Sequence, residues 1–337
     1  MSFRVRRRTL AGLLASVVAL SVLVGCTVPR PPGDSPLRYR DQVFNNVSVT
    51  RNLQYGSAPD NNGNPVALRL DLYQPSGDTQ TRRPAVVWVH GGSFCCGDKT
   101  SPEIVDLSNT FARLGYVAVS INYRLLAPQG CSGSSLGSSC AAAAIEAQHD
   151  AQAAVRWLRA NAATYRIDGG RIGIGGSSAG AITATLAGLR PDDPGSSGNP
   201  GQPSSVGGFM SLSGGLPGGV FVNAGDAPGL FFYGTADTVV PDDWSVQTGA
   251  AMLNAGIAAF LEPFEGAGHV PYAQNREQIV TQSDYFFYAV LDLAHAQGQP
   301  AAAARAFARS TADAAEAHPR IAQQAIRHRA RQADLAR

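Results

Sequence analysis

A chain of 337 residues has room for one large domain or two small ones. With 44% hydrophobic and 15% charged residues it has the composition of a globular protein able to bury a sizeable core. A net charge of +2 argues against nucleic acid as the main partner, because nothing in it suggests a surface that tracks phosphates.

The opening MSFRVRRRTLAGLLASVVALSVLVGC lies apart from the fold. Arg4, Arg6, Arg7 and Arg8 give a positive start, and an apolar run follows over 10–24. That run falls short of the ~20 residues a spanning helix needs and matches a secretory signal peptide over residues 1–25. Its end, LVGC, resembles the lipobox of bacterial lipoproteins. The resemblance implies that Cys26 is lipidated, becomes the new N-terminus and ties an exported protein to a membrane of the cell envelope. An uncleaved anchor and a simple secreted protein are the alternatives, and the adjacent arginines also raise twin-arginine export, although that motif is incomplete. Residues 26–45 carry Pro29, Pro31, Pro32 and Pro36 and read as a semi-rigid tether. Export means that Cys95, Cys96, Cys131 and Cys140 meet an oxidising compartment.

From Val66 the sequence alternates, with Leu68, Leu70 and Leu72 on one face and Arg69 and Asp71 on the other, as in a half-buried strand. Strands and helices then take turns. AVVWVH (85–90) is apolar and β-branched, as a strand buried on both faces should be. A helix over 102–111, a strand over 116–121 and a helix with apolar positions Ala151, Ala154, Val155, Leu158 and Ala162 follow. Next come a strand over 171–175, a helix from Ala179, strands over 208–212 and 230–233, a helix over 246–254, a strand over 258–263 and a helix over 277–293. This alternation predicts an α/β fold, one domain over 46–297 with a mostly parallel sheet covered on both faces. The remainder, 298–337, is rich in alanine and arginine and reads as a frayed helical tail.

The strongest chemical signal is GGSSAG (175–180), a G-x-S-x-G centred on Ser178 between a strand and a helix. A sharp strand-to-helix turn sets that hydroxyl above the sheet, at the positive end of the following helix. The plain alternative is that Ser177 or Ser178 merely caps the helix. A serine nucleophile needs a base, and the base an orienting acid. Among six histidines, His269 in EGAGHVPY occupies a glycine-bounded loop beyond a strand, where parallel-sheet enzymes place such residues. Asp237 in GTADTVVP follows the preceding strand; Asp242 and Asp243 compete but read as helix caps. The order Ser178, Asp237, His269 is the serine–acid–histidine order of α/β-hydrolases.

The stretch HGGSFCC (90–96) then has a use, because its glycines let the backbone approach a substrate closely. Acyl transfer places negative charge on a carbonyl oxygen, and the N–H groups of Gly92, Ser93 and Ala179 are the expected oxyanion donors. His90 is then structural. A zinc site from His90 and the cysteines fails on spacing, since no C-x₂-C pair exists.

HGGSF, GSSAG, GTADTVVP and GAGHVP together resemble the carboxylesterase branch of the α/β-hydrolase fold, similar to hormone-sensitive-lipase-like and bacterial feruloyl-esterase-like enzymes. LDLYQP, GDKTS, NYRL and DAQAAVRWLRANAATYRID agree, so the likeness spans roughly residues 50–293. It departs where Ser93 replaces a third glycine and where GCSGSSLGSSC is inserted after NYRL. The resemblance implies a serine carboxylic ester hydrolase that works through an acyl-enzyme on small or short-chain esters, with no metal or organic cofactor. A lipase, a prolyl-oligopeptidase-like peptidase and a non-catalytic binding protein on the same scaffold are the other readings. No large apolar lid or added domain is evident for the first two, and retention of all three triad residues disfavours the third.

Four exported cysteines allow three pairings. Joining Cys95 to Cys96 strains the bridge, because adjacent α-carbons lie about 3.8 Å apart. Both other pairings tie the oxyanion loop to the insertion holding Cys131 and Cys140, so the insertion is expected to be stapled over the oxyanion side of the pocket.

Overall fold

The computed structural model describes residues 27–131 and 137–297. It opens with an antiparallel pair, β1 (Val47–Pro59) and β2 (Pro65–Pro75). There follow β3 (Arg83–Val89), α1 (Pro102–Leu114), β4 (Val117–Ile121), α2 (Ser138–Ala160), the one-turn α3 (Ala162–Tyr165), β5 (Ile167–Ser177) and α4 (Ala179–Leu189). Then come β6 (Phe209–Leu212), a 3₁₀ turn at Pro217–Gly219, β7 (Gly229–Gly234), α5 (Asp242–Asn254), β8 (Ala259–Phe264), α6 (Tyr272–Val290) and the short α7 (Leu293–Ala296). The strands form one eight-stranded sheet in the order β1-β2-β4-β3-β5-β6-β7-β8. Every pairing from β4 onward in that order is parallel, and β2 runs antiparallel to both of its neighbours.

Burial follows from the strand period of two. Along β3, Ala85, Val87 and Val89 enter the apolar layer shared with α2, α4 and α5, while Val86 and Trp88 enter the opposite layer with α1 and α6. Trp88 packs edge-on to Phe111 of α1 and Phe287 of α6, with ring centroids 5.0 and 6.0 Å away. Helix α1 starts with Pro102 in its first turn and stops at Gly115, whose φ of 112° supplies the left-handed cap.

Three readings need adjustment. The edge strand β1 was not expected; bulges between Thr50 and Leu53 and between Gln54 and Gly56 break the alternation that would have marked it. Helix α2 begins at Ser138, inside the glycine- and serine-rich insertion, and α6 opens with a turn from Tyr272 that is kinked at Asn275, so that its regular part starts close to the expected 277. The proline-rich segment lacks helix and strand, but over 27–45 it is no free tether: Val28, Leu37, Tyr39 and Arg40 are buried against the domain. The signal segment, Cys26 and the 298–337 tail lie outside the described residues.

Candidate active site

Strand β5 hands over to α4 at Ser178, held at φ 54°, ψ −120°, a conformation L-residues rarely adopt. Flanking glycines make the turn feasible. A β-carbon on Gly180 would lie 2.1 Å from the Val89 carbonyl oxygen, and one on Gly176 would lie 2.5 Å from the Gly180 carbonyl. The Ser178 N–H donates to the Leu212 carbonyl at 2.8 Å, locking the turn to β6.

Ser178 does occupy the N-cap position of α4, but its hydroxyl caps nothing. It lies 2.8 Å from Nε2 of His269. Nδ1 of His269 lies 2.7 Å from Oδ2 of Asp237, so the tautomer these partners select carries its proton on Nδ1 and leaves Nε2 to accept from the serine. The structure thus brings together three side chains from loops beyond β5, β7 and β8. Two of those loops are tied to each other, since Ala236 donates to the Ala267 carbonyl at 2.9 Å. The Val270 N–H donates to Ser213 Oγ at 3.0 Å and fixes the backbone beside His269.

The Asp237 side chain is 1% exposed, against 22% for His269. Burial raises the Asp237 carboxyl, but the His269 hydrogen bond and the N–H groups of Val239 and Val240, at 2.8 and 3.0 Å from Oδ1, outweigh it and hold the acid below its ordinary value. Both oxygens are therefore engaged as an anion's would be. Asp242 and Asp243 lie in the first turn of α5, and Oδ2 of Asp243 accepts from Gln247.

The expected oxyanion donors flank this group. Gly92 and Ser93 stand at φ 115° and 52° in the turn after β3, and Ala179 begins α4. Among the described residues none of their three N–H groups has a hydrogen-bond acceptor. A β-carbon on the neighbouring Gly91 would sit 3.1 Å from the Ser178 β-carbon, which shows how closely the turn lies against the serine. His90 is buried, its ring stacked on Tyr123 with centroids 4.4 Å apart and Nδ1 2.6 Å from the Gly91 carbonyl; burial lowers its pKa.

The cysteines correct the expected pairing. Cys131 bonds to Cys140, closing the insertion on itself, while Cys95 and Cys96 are free. Because Cys140 lies in the first turn of α2, it is presented to Cys131 at a Cα separation of 5.8 Å, and among the described residues no disulfide joins the insertion to the oxyanion turn.

Supporting residues outside the expected set also emerge. Ser177 Oγ donates to Oε1 of Glu103 at 2.8 Å, tethering the serine turn to α1. Tyr123 donates its hydroxyl to the His90 carbonyl at 3.1 Å, and Lys99 reaches the buried Asp71 at 2.9 Å, so both ends of the oxyanion loop are held. Asp71, Lys99 and Tyr123 fall within LDLYQP, GDKTS and NYRL, which gave a signal; nothing in the sequence marks Glu103. Among the described residues no cluster of His, Cys, Asp or Glu is arranged to hold a metal ion.

A solved structure of Thermogutta terrifontis esterase 2 phosphorylated by paraoxon aligns at a TM-score of 0.59 and 24% identity, covering 75% of this chain and 96% of that one. The fold is the α/β-hydrolase fold. A truncated carbohydrate esterase from gut microbiota aligns at a TM-score of 0.57 and 21% identity, covering 74% of this chain and 98% of that one. Residues 70–203 match BD-FAE, a family of α/β-hydrolase esterases. Phenmedipham hydrolase from Pseudarthrobacter oxydans is 37% identical over 122 residues, 36% of this chain and 23% of that protein. Esterase LipC from Mycobacterium tuberculosis is 28% identical over 164 residues, 49% of this chain and 34% of its own length. The chain therefore spans only 23% and 34% of these two curated relatives' own lengths.

Proposed function

We propose that the protein is a serine carboxylic ester hydrolase acting on small or short-chain esters through an acyl-enzyme. The observation that carries the reading is the serine–histidine–aspartate chain, 2.8 and 2.7 Å long at its two links, beside three backbone N–H groups that have no acceptor among the described residues. Nε2 of His269 takes the Ser178 proton as Oγ attacks the ester carbonyl. The developing oxyanion is met by Gly92, Ser93 and Ala179, where each donor is typically worth on the order of 3 kcal/mol. His269 then protonates the departing alcohol, and water, deprotonated by the same nitrogen, releases the acid. Asp237 keeps the imidazole in its working tautomer and stabilises its cation. This chemistry uses no metal or organic cofactor. The names of the two curated relatives, a hydrolase and an esterase, support the reaction class; a butyrate-bound structure of the Thermogutta enzyme supports the short acyl group.

The test is covalent labelling with an organophosphonate and steady-state kinetics on short-chain aryl esters. One label is expected, on Ser178, and Ser178→Ala should lower kcat by roughly 10⁴-fold or more. A label on another serine, or near-normal turnover in the variant, overturns the proposal.

We also infer that Cys26 is lipidated, which makes the protein an exported lipoprotein of the cell envelope. The charged start, short apolar run and LVGC support this. Each buried methylene of the lipid adds about 0.8 kcal/mol, so two or three chains anchor stably. Cells making Cys26→Ser should release the protein or leave it unprocessed; an unmodified N-terminus elsewhere in the cell-derived protein refutes the inference.

A further inference from the structure

We propose that Cys95 and Cys96 form a dithiol modification site, oxidised by low-molecular-weight disulfides, whose state sets the aim of the Ser93 N–H. Its effect on rate rests on the esterase reading; its sulfur chemistry does not. The Gly92 carbonyl and the Ser93 N–H belong to one planar peptide unit and point opposite ways. That carbonyl accepts from the N–H of Cys95 and of Cys96, both at 3.0 Å, and from the Cys95 thiol at 3.3 Å. Gly92, Ser93 and Phe94 all have positive φ, so these hydrogen bonds, rather than backbone preference, hold the peptide plane.

The two sulfurs are placed differently. Cys96 is exposed, whereas Cys95 is half-buried beside Gly130, where a β-carbon would come within 3.6 Å of its Sγ. Being the exposed one of the two, Cys96 meets a dissolved reagent first. With Cys131 and Cys140 already bonded, the adjacent pair has only itself to react with among the described cysteines.

The Cys96 thiolate attacks one sulfur of the small disulfide, breaking its S–S bond and expelling the first thiolate, which takes up a proton. The Cys95 thiolate then attacks Cys96 Sγ and expels the second. Two protein thiols are oxidised and one disulfide is reduced to two thiols. The new ring spans α-carbons about 3.8 Å apart, where ordinary bridges span roughly 4.4 to 6.8 Å, so the Cys95–Cys96 peptide must turn. Its N–H leaves the Gly92 carbonyl, and the Cys95 sulfur no longer has a hydrogen to donate. Two of three restraints on the oxyanion peptide disappear together.

The full chain is treated with oxidised glutathione, mapped without reduction and assayed on a short-chain aryl ester. The peptide carrying both cysteines should lose two hydrogens and retain no glutathione. In parallel kcat should fall about tenfold or more with KM little changed, since losing one donor outright costs on the order of 100-fold. Dithiothreitol should restore the rate, and Cys96→Ser should keep its activity through the treatment. Retained glutathione, exchange into the Cys131–Cys140 bond, or an oxidised pair with unchanged kcat overturns the proposal. If the reduced protein hydrolyses no ester, the esterase reading fails, while the mapping still decides the fate of the dithiol.

Discussion

Glu262, in the middle of β8, is 2% exposed, and one of its oxygens has no hydrogen-bond partner among the described residues. The other accepts from Gln278 of α6 at 3.3 Å. Burial pushes this carboxyl up to about 7, only partly opposed by that hydrogen bond. The folded protein therefore binds a proton that the unfolded chain, near 4.5, has released. Stability from this residue is complete below about pH 4.5, falls as pH rises and is gone above about 7; the whole change is about 3 kcal/mol. Thermal unfolding from pH 5 to pH 8 should show Tm falling in the wild type more steeply than in Glu262→Gln, which keeps the shape without the charge. Parallel curves would refute this assignment. Nothing in AFLEPF announces such a residue, because burial of a strand's polar position depends on which helix covers it. Ser178, Asp237 and His269 were legible for the opposite reason: each lies in a loop bracketed by glycine or proline, just after a strand that periodicity could find.

At the scale of elements, the parallel strands were readable because burial on both faces makes them short continuous apolar runs, as β3 and β7 show with every residue buried. Edge elements were not. β1 is mostly exposed and twice bulged, so it carries neither alternation nor an apolar run. The insertion misled for a related reason. GCSGSSLGSSC is rich in glycine and serine, yet its last three residues begin α2, a helix whose remaining length is rich in alanine and largely buried. That one extra turn puts Cys140 on a helix facing back toward Cys131, and the local bridge becomes reachable. Sequence spacing alone gives no such direction, which is why the pairing was misjudged while the cysteines themselves were recognised as significant.

At the scale of the molecule, the segment before β1 closes the end of the sheet opposite Ser178. Tyr39 donates its N–H to the Leu114 carbonyl at 2.9 Å and sets its ring edge-on to Tyr116, 5.3 Å away. Val43 and Phe44 both donate to Arg113, so the segment satisfies carbonyls at the exposed end of α1. Its shape depends on Arg40, which is 5% exposed and donates to the carbonyls of Pro31 and Gly33 at 2.9 and 2.8 Å and to Ser35 at 2.9 Å. Asp41 pairs with Arg40 and also accepts from the Leu37 N–H at 2.7 Å; the Arg40 hydrogen bond leads in holding its carboxyl down to about 2. A proline-rich stretch without regular structure is thus folded around one guanidinium, which composition cannot foretell. Arg40→Ala removes the donors to the buried Pro31 carbonyl and to the Gly33 carbonyl and takes away the main partner of Asp41, so it should lower unfolding free energy by about 2 to 4 kcal/mol. Because the segment lies at the far end of the sheet, kcat/KM on an aryl ester should remain within about twofold at temperatures where the variant stays folded. Denaturant midpoints and limited proteolysis of the segment measure the first effect, and the esterase assay the second. Unchanged stability would show that the segment docks without Arg40; lost activity in a folded variant would show that it reaches the site.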